Sequence, residues 1–296
     1  MARKTFYYHV DEQDDFGSLG VNNKPLKDDF KYINKNIFYR IISFILYYLI
    51  AFPILYIYSR IVLVSKVKNK KQVKKELKKQ SFFLYSNHTH YYDAFLSHIF
   101  IGVPRRVYVI SHPDAVNIPF IGKLVMMLGC LPLPSNIKTF KAFQNAMKQR
   151  LNENAIIAVY PEGTLWPYYN KIRKMNKAAF KYPAMYKKPI VICAQTYKQR
   201  KIFKNLKPKM TLTLSHVIYP NKDFSVEENQ NMFYEEAMKF WSETVLKEDN
   251  YSYNNYVLVE EKSNLSDNEQ KWVSRILWGF MGFREMTNKN LWNSMG

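Results

Sequence analysis

From residue 81 onward, short apolar runs alternate with longer segments whose apolar residues recur at helical spacing. The runs 81–86, 107–110, 155–160 and 189–194 are too short for buried helices and read as strands covered on both faces. Residues 211–218 alternate apolar and polar and read as a further strand. Helical spacing marks 93–100, 138–151, 175–186 and 227–245. Phe140, Phe143, Ala146, Met147 and Leu151 share one face of the second of these, and Phe233, Ala237, Phe240, Trp241 and Val245 share one face of the last. Strands alternating with helices predict an α/β domain over residues 81–246, a mixed sheet flanked by helices.

The segments before it differ in kind. Residues 41–59 contain no charge and are bracketed by Arg40 and Arg60. That length is close to what a bilayer span needs, so 37–64 is expected to be a membrane-associated helical segment. Pro53 is expected to kink it, and a spanning helix and a kinked pair lying in one leaflet both fit. Residues 65–80 carry eight lysines and one glutamate and read as a basic linker. Placed after an apolar stretch, such a run suits an anionic leaflet and puts the following domain on the cytoplasmic side of the cell membrane. Residues 1–36 hold six basic and six acidic residues without a period and read as a polar tail that packs loosely or not at all. In the C-terminal extension, 247–296, Trp272, Ile276, Gly279, Phe280 and Phe283 fall at helical spacing, as a packed helix or a second surface anchor would require.

Composition narrows the function. Forty-four Lys and Arg against 24 Asp and Glu give a formal charge of +20, which suits nucleic acid, an anionic membrane or a phosphorylated substrate. No CxxC pair, no GxGxxG and no aromatic RNA-binding strand signature is present, so nucleic acid is not an expected partner. The two cysteines, Cys130 and Cys193, form no metal-binding or disulfide pattern, and no metal is expected.

Two turns carry the candidate chemistry. The first apolar run feeds into Asn87-His88-Thr89-His90-Tyr91-Tyr92-Asp93. On one regular helix, residues five apart diverge by about 140°, so His88 and Asp93 meet only if His88 lies in a turn and Asp93 opens the next helix. A carboxylate accepting from one imidazole nitrogen fixes the tautomer and leaves the other nitrogen free to take a proton. The third apolar run ends in Pro161-Glu162-Gly163-Thr164, where Gly163 permits close backbone approach and Thr164 offers a hydroxyl. Basic residues follow: Lys171, Arg173, Lys174, Lys177, Lys181, Lys187 and Lys188, then more between Lys198 and Lys209.

In order and spacing, NHxxxxD on one strand end and PEGT on another, preceded by an apolar anchor and followed by a Pro189-Ile190-Val191 strand, resemble the glycerolipid acyltransferase superfamily. The nearest likeness within it is to the bacterial lysophosphatidic acid acyltransferases. The resemblance covers about residues 40–220. It implies His88 and Asp93 as the catalytic pair, and Asn87, Glu162, Gly163 and Thr164 on the substrate side. It also implies acyl-CoA or acyl carrier protein as donor, a lysophospholipid acceptor such as lysophosphatidic acid, and no tightly bound cofactor.

This chain departs from the family at two arginines. The region 129–135 contains none, ending in Ser135, and Leu165 stands directly after Glu-Gly-Thr. Either the cationic role has moved to Arg173 and Lys174, or the acceptor is a sugar or another polar lipid rather than a simple glycerol phosphate. A non-catalytic basic membrane adaptor is the rival of a different class.

Overall fold

A computed structural model describes residues 3–9, 12, 14–17, 24–247 and 250–259. The chain divides into two compact units, Met1–Val257 and Leu258–Gly296, and the expected C-terminal helix lies outside the described residues. The strands are β1 (Thr5–Tyr8), β2 (Val64–Lys68), β3 (Phe82–Ser86), β4 (Val107–Ser111), β5 (Cys130–Pro132), β6 (Ile156–Val159), β7 (Ile190–Lys198), β8 (Lys209–Leu214) and β9 (Asn255–Leu258). The main helices are α1 (Ile37–Leu63), α2 (Lys70–Glu76), α3 (Asp93–Gly102), α4 (Asp114–Asn117), α5 (Ile121–Met127), α6 (Ile137–Asn152), α7 (Lys181–Met185) and α8 (Val226–Lys247).

Seven strands form one mixed sheet in the order β2-β8-β7-β3-β6-β4-β5. β7, β3, β6, β4 and β5 run parallel, β8 is antiparallel to β7, and β2 is parallel to β8. The apolar runs are explained by burial on both faces. In β3, Phe83 and Tyr85 join one core with α6, α7 and α8, whereas Phe82 and Leu84 join a second core with α2 and α3. β6 and β7 divide their side chains in the same way. The predicted stripe of α6 is buried throughout. In α8, Phe233, Ala237 and Trp241 are buried.

Two expectations change. Residues 65–80 are not a linker: β2 is an edge strand of the sheet, and α2 and the turn after it bury Val73 and Leu77. Lysines on an edge strand are a known device against unwanted pairing, which is why the run reads as merely basic. The tail is not loose: Leu26 and Tyr32 enter the first core, and Leu26 N–H donates to Ser135 Oγ at 2.9 Å. Phe30 and Ile33 pack against the same core, and the four residues fall at no regular period, so the docking leaves no periodic signal. Beside these corrections, α1 runs past Pro53 as one helical segment of 27 residues. The turns over Ile45–Ala51 are π-helical, and such widened turns relax the demand for an i−4 hydrogen bond that proline cannot make.

α1 is long and apolar enough to cross a membrane, and most of it is exposed. It is nevertheless held to the domain at several points. Ser43 Oγ donates to Met127 O at 2.8 Å, Tyr48 Oη donates to Pro104 O at 3.1 Å, and Arg200 donates to Val62 O at 2.7 Å.

Candidate active site

β3 and β6 are parallel neighbours, with Tyr85 opposite Val159, so the turns that follow them emerge at the same end of the sheet. This is where ligands bind in open α/β sheets. His88 lies in the first turn and Asp93 opens α3, as the five-residue spacing requires. His88 Nδ1 and Asp93 Oδ2 are 2.9 Å apart. Asp93 is fully buried, and the same oxygen accepts the backbone N–H groups of Thr89 (2.8 Å) and His90 (2.9 Å). A carboxylate facing Nδ1 makes that nitrogen the proton carrier and leaves the Nε2 lone pair available. The Tyr160 ring packs on the imidazole with centroids 4.7 Å apart, and its hydroxyl donates to Asp93 O at 2.6 Å. The His88 side chain remains 25% exposed, so its free nitrogen is reachable.

The second turn is tied to the first. Glu162 Oε2 accepts the backbone N–H of His88 at 2.9 Å, and Trp166 N–H donates to His88 O at 3.2 Å. Gly163 has φ +78°, and a Cβ there would meet nothing within 4 Å, so the backbone faces open space beside the histidine turn. The glycine therefore serves the turn and leaves room for a ligand at once. Thr164 is partly exposed, and its hydroxyl accepts from Arg173 at 2.7 Å.

Arg173 does fold back over this turn, but as a buried strut. Its guanidinium donates to Glu162 Oε2 at 2.5 Å and also to Thr164 O, and it stacks on Trp166 at 4.7 Å. Both partners of the Arg173–Glu162 ion pair are 1% exposed. Lys174 stays at the surface, where its backbone N–H donates to Glu12 at 2.9 Å. Asn87 is buried and clamps β7: its Oδ1 accepts Gln195 N–H at 2.8 Å and its Nδ2 donates to Gln195 O at 3.2 Å.

Ser135 and Leu165, the two positions at which the resemblance leads one to expect arginine, hold the N-terminal tail instead. Ser135 receives Leu26, and Leu165 N–H donates to Asp15 Oδ1 at 3.0 Å while Leu165 O accepts Phe16 N–H at 3.1 Å. The aromatic residues after PEGT are structural: Trp166 stacks on Tyr256 at 5.2 Å and contacts Tyr8 and Phe16.

Sequence reasoning missed Tyr160, Gln195 and Tyr197. Gln195 and Tyr197 sit at the end of a buried strand, where polar atoms need partners. Gln195 Nε2 donates to Ser86 Oγ at 3.1 Å, and Tyr197 Oη donates to Thr89 O at 2.9 Å. Neighbouring His90 is kept neutral by burial, which lowers its pKa to about 4. It cannot substitute for His88 as an exposed base.

Residues 64–195 match the family model described as Acyltransferase. The likeness to that family lies in these residues, from β2 to β7. The matched span opens at β2 and closes at Gln195, the clamp on Asn87, so it contains both turns. Among solved structures, the chain is similar to the 1-acyl-sn-glycerophosphate (LPA) acyltransferase PlsC from Thermotoga maritima, with 20% identity over 65% of this chain and 75% of that one and a TM-score of 0.46. No curated protein matches the chain in sequence.

Proposed function

We propose that this acyltransferase domain moves a fatty acyl chain from a thioester donor to a hydroxyl of a lysophospholipid, with His88 as general base. The observation that carries the proposal is the His88–Asp93 pair with its second nitrogen open to solvent, beside the vacant face of Gly163. His88 Nε2 takes the proton of the acceptor hydroxyl as that oxygen attacks the thioester carbonyl. Asp93 supports the imidazolium. The tetrahedral intermediate collapses with cleavage of the C–S bond, and the leaving thiolate recovers the proton from His88. The products are an ester and a free thiol. The donor is acyl-CoA or acyl carrier protein, and the basic surface suits either anion.

The attachments of α1 to the domain from Ser43 to Val62 favour a helix lying in the interface of the membrane over one that leaves the domain to cross it. The enzyme would thus meet a lysolipid at the leaflet surface, on the cytoplasmic side.

A second reading has one observation in its favour. Ser135, Leu165 and Arg173 are all engaged within the protein, so none presents a free cation to a phosphate. That suits an acceptor other than a simple glycerol phosphate. Purified full-length protein, given a labelled acyl thioester and a panel of lysophosphatidate, zwitterionic lysolipids and glycolipids, is expected to release thiol only with an acceptor present and to label the acylated lipid. Labelling of a glycolipid alone would select the second reading. Thiol release unaffected by any acceptor would reject both.

A further inference from the structure

The β7–β8 connection, residues 199–208, rises from the same end of the sheet as His88. Its sequence, Gln199-Arg200-Lys201-Ile202-Phe203-Lys204-Asn205-Leu206-Lys207-Pro208, interleaves apolar and basic residues. Ile202 is 74% exposed, Phe203 70% and Leu206 49%. Phe203 also holds φ +58°, a left-handed conformation that is unfavourable for a bulky residue. A strained aromatic presented to water is doubly disfavoured unless something covers it.

The loop is fastened to the end of α1. Arg200 donates from Nε to Lys207 O at 2.8 Å and from its terminal nitrogen to Val62 O at 2.7 Å, and Lys209 Nζ donates to Ile61 O. The apolar tip is therefore continuous with the exposed surface of α1, which includes Ile57 and Ile61. Cations also crowd this edge. Lys209 is pushed below the ordinary lysine value by partial burial first, and then by Arg200 and Arg60. The ion pairs Lys138–Asp28, Arg150–Glu153 and Arg173–Glu162 all lie away from this loop. An apolar tip ringed by cations is complementary to an anionic bilayer surface, with hydrocarbon below and phosphate at the rim.

We infer that the 199–208 loop is a second membrane-insertion element, which buries Ile202, Phe203 and Leu206 in the leaflet that receives α1 while its lysines meet anionic headgroups. The arrangement brackets the catalytic turn. Tyr58 of α1 packs on Tyr92 with centroids 5.5 Å apart, and Lys207 Nζ lies 5.8 Å from the Tyr168 ring, whose hydroxyl is 3.2 Å from His90 Nε2. With both elements inserted, the catalytic turn lies at headgroup level and a lysolipid reaches His88 without leaving the leaflet.

The inference rests on membrane attachment through α1, and the test separates the two. Phe203→Cys in the full chain is labelled with an environment-sensitive fluorophore. Cys130 and Cys193 are buried, which raises their pKa values to about 11 and about 12, so they do not compete for the label. Lys222→Cys, after β8 at the far end of the sheet, is the control. On vesicles containing phosphatidylserine, the label at 203 is expected to brighten several-fold and to be quenched by nitroxide-bearing acyl chains, while the label at 222 does neither. Lys201→Ala and Lys204→Ala should each weaken vesicle partitioning by about fivefold. If the protein sediments with vesicles but the label at 203 stays unquenched, the loop is not inserted and only α1 anchors the chain. If the protein does not bind vesicles, the membrane reading fails and this inference with it.

Discussion

Arg173→Ala is expected to destabilise the domain by about 3–5 kcal/mol, the usual result of leaving one charge of a buried pair without its partner. Glu162 would keep the His88 N–H as a donor and lose its cation inside a site closed to water. Urea unfolding of the full chain gives the measurement, read as a fall in midpoint at unchanged slope. The double variant Glu162→Gln/Arg173→Met should recover much of the loss, because it removes both charges together. A phosphate clamp behaves differently: Arg173→Ala would leave stability near wild type and raise the Michaelis constant of an anionic acceptor. The burial of the guanidinium favours the first outcome over the relocation that the sequence suggests.

Asp93→Asn is expected to lower kcat by about 100-fold to 10,000-fold, the range seen when a carboxylate supporting a catalytic imidazole is neutralised. The amide oxygen can still accept the Thr89 and His90 N–H groups, so the turn should survive. What is lost is the charge that stabilises His88 as imidazolium during attack. Michaelis constants for both substrates should stay within about threefold, because Asp93 is buried behind His88 and touches neither. A variant with normal kcat and weakened acceptor binding would instead place Asp93 in substrate recognition.

The central sheet and the dyad were legible because both depend on local pattern. A short run buried on two faces can hardly be anything but a strand, and a histidine with a carboxylate five residues on has only one geometry in which they meet. β5 escaped because three residues carry no period, and β2 because lysines on an edge strand look like a solvated linker. The tail escaped for another reason: Leu26, Asp15 and Phe16 dock against residues more than a hundred positions away in sequence, and nothing local announces them. That Arg173 folds back onto the PEGT turn and is buried against Glu162 is a tertiary fact that its position in the sequence does not carry. The absence of family arginines at Ser135 and Leu165 also has a structural counterpart. Both positions now seat the N-terminal tail over the domain.

Acyl transfer by His88→Ala tests the account most directly. The side chain is one quarter exposed and its backbone is held independently by Glu162 and Trp166, so the variant should fold like the wild type. With a labelled acyl thioester and the acceptor that the wild-type protein prefers, transfer should fall at least about 1,000-fold, to the uncatalysed background. Transfer within tenfold of wild type by a folded His88→Ala protein would contradict the proposal that this histidine is the base.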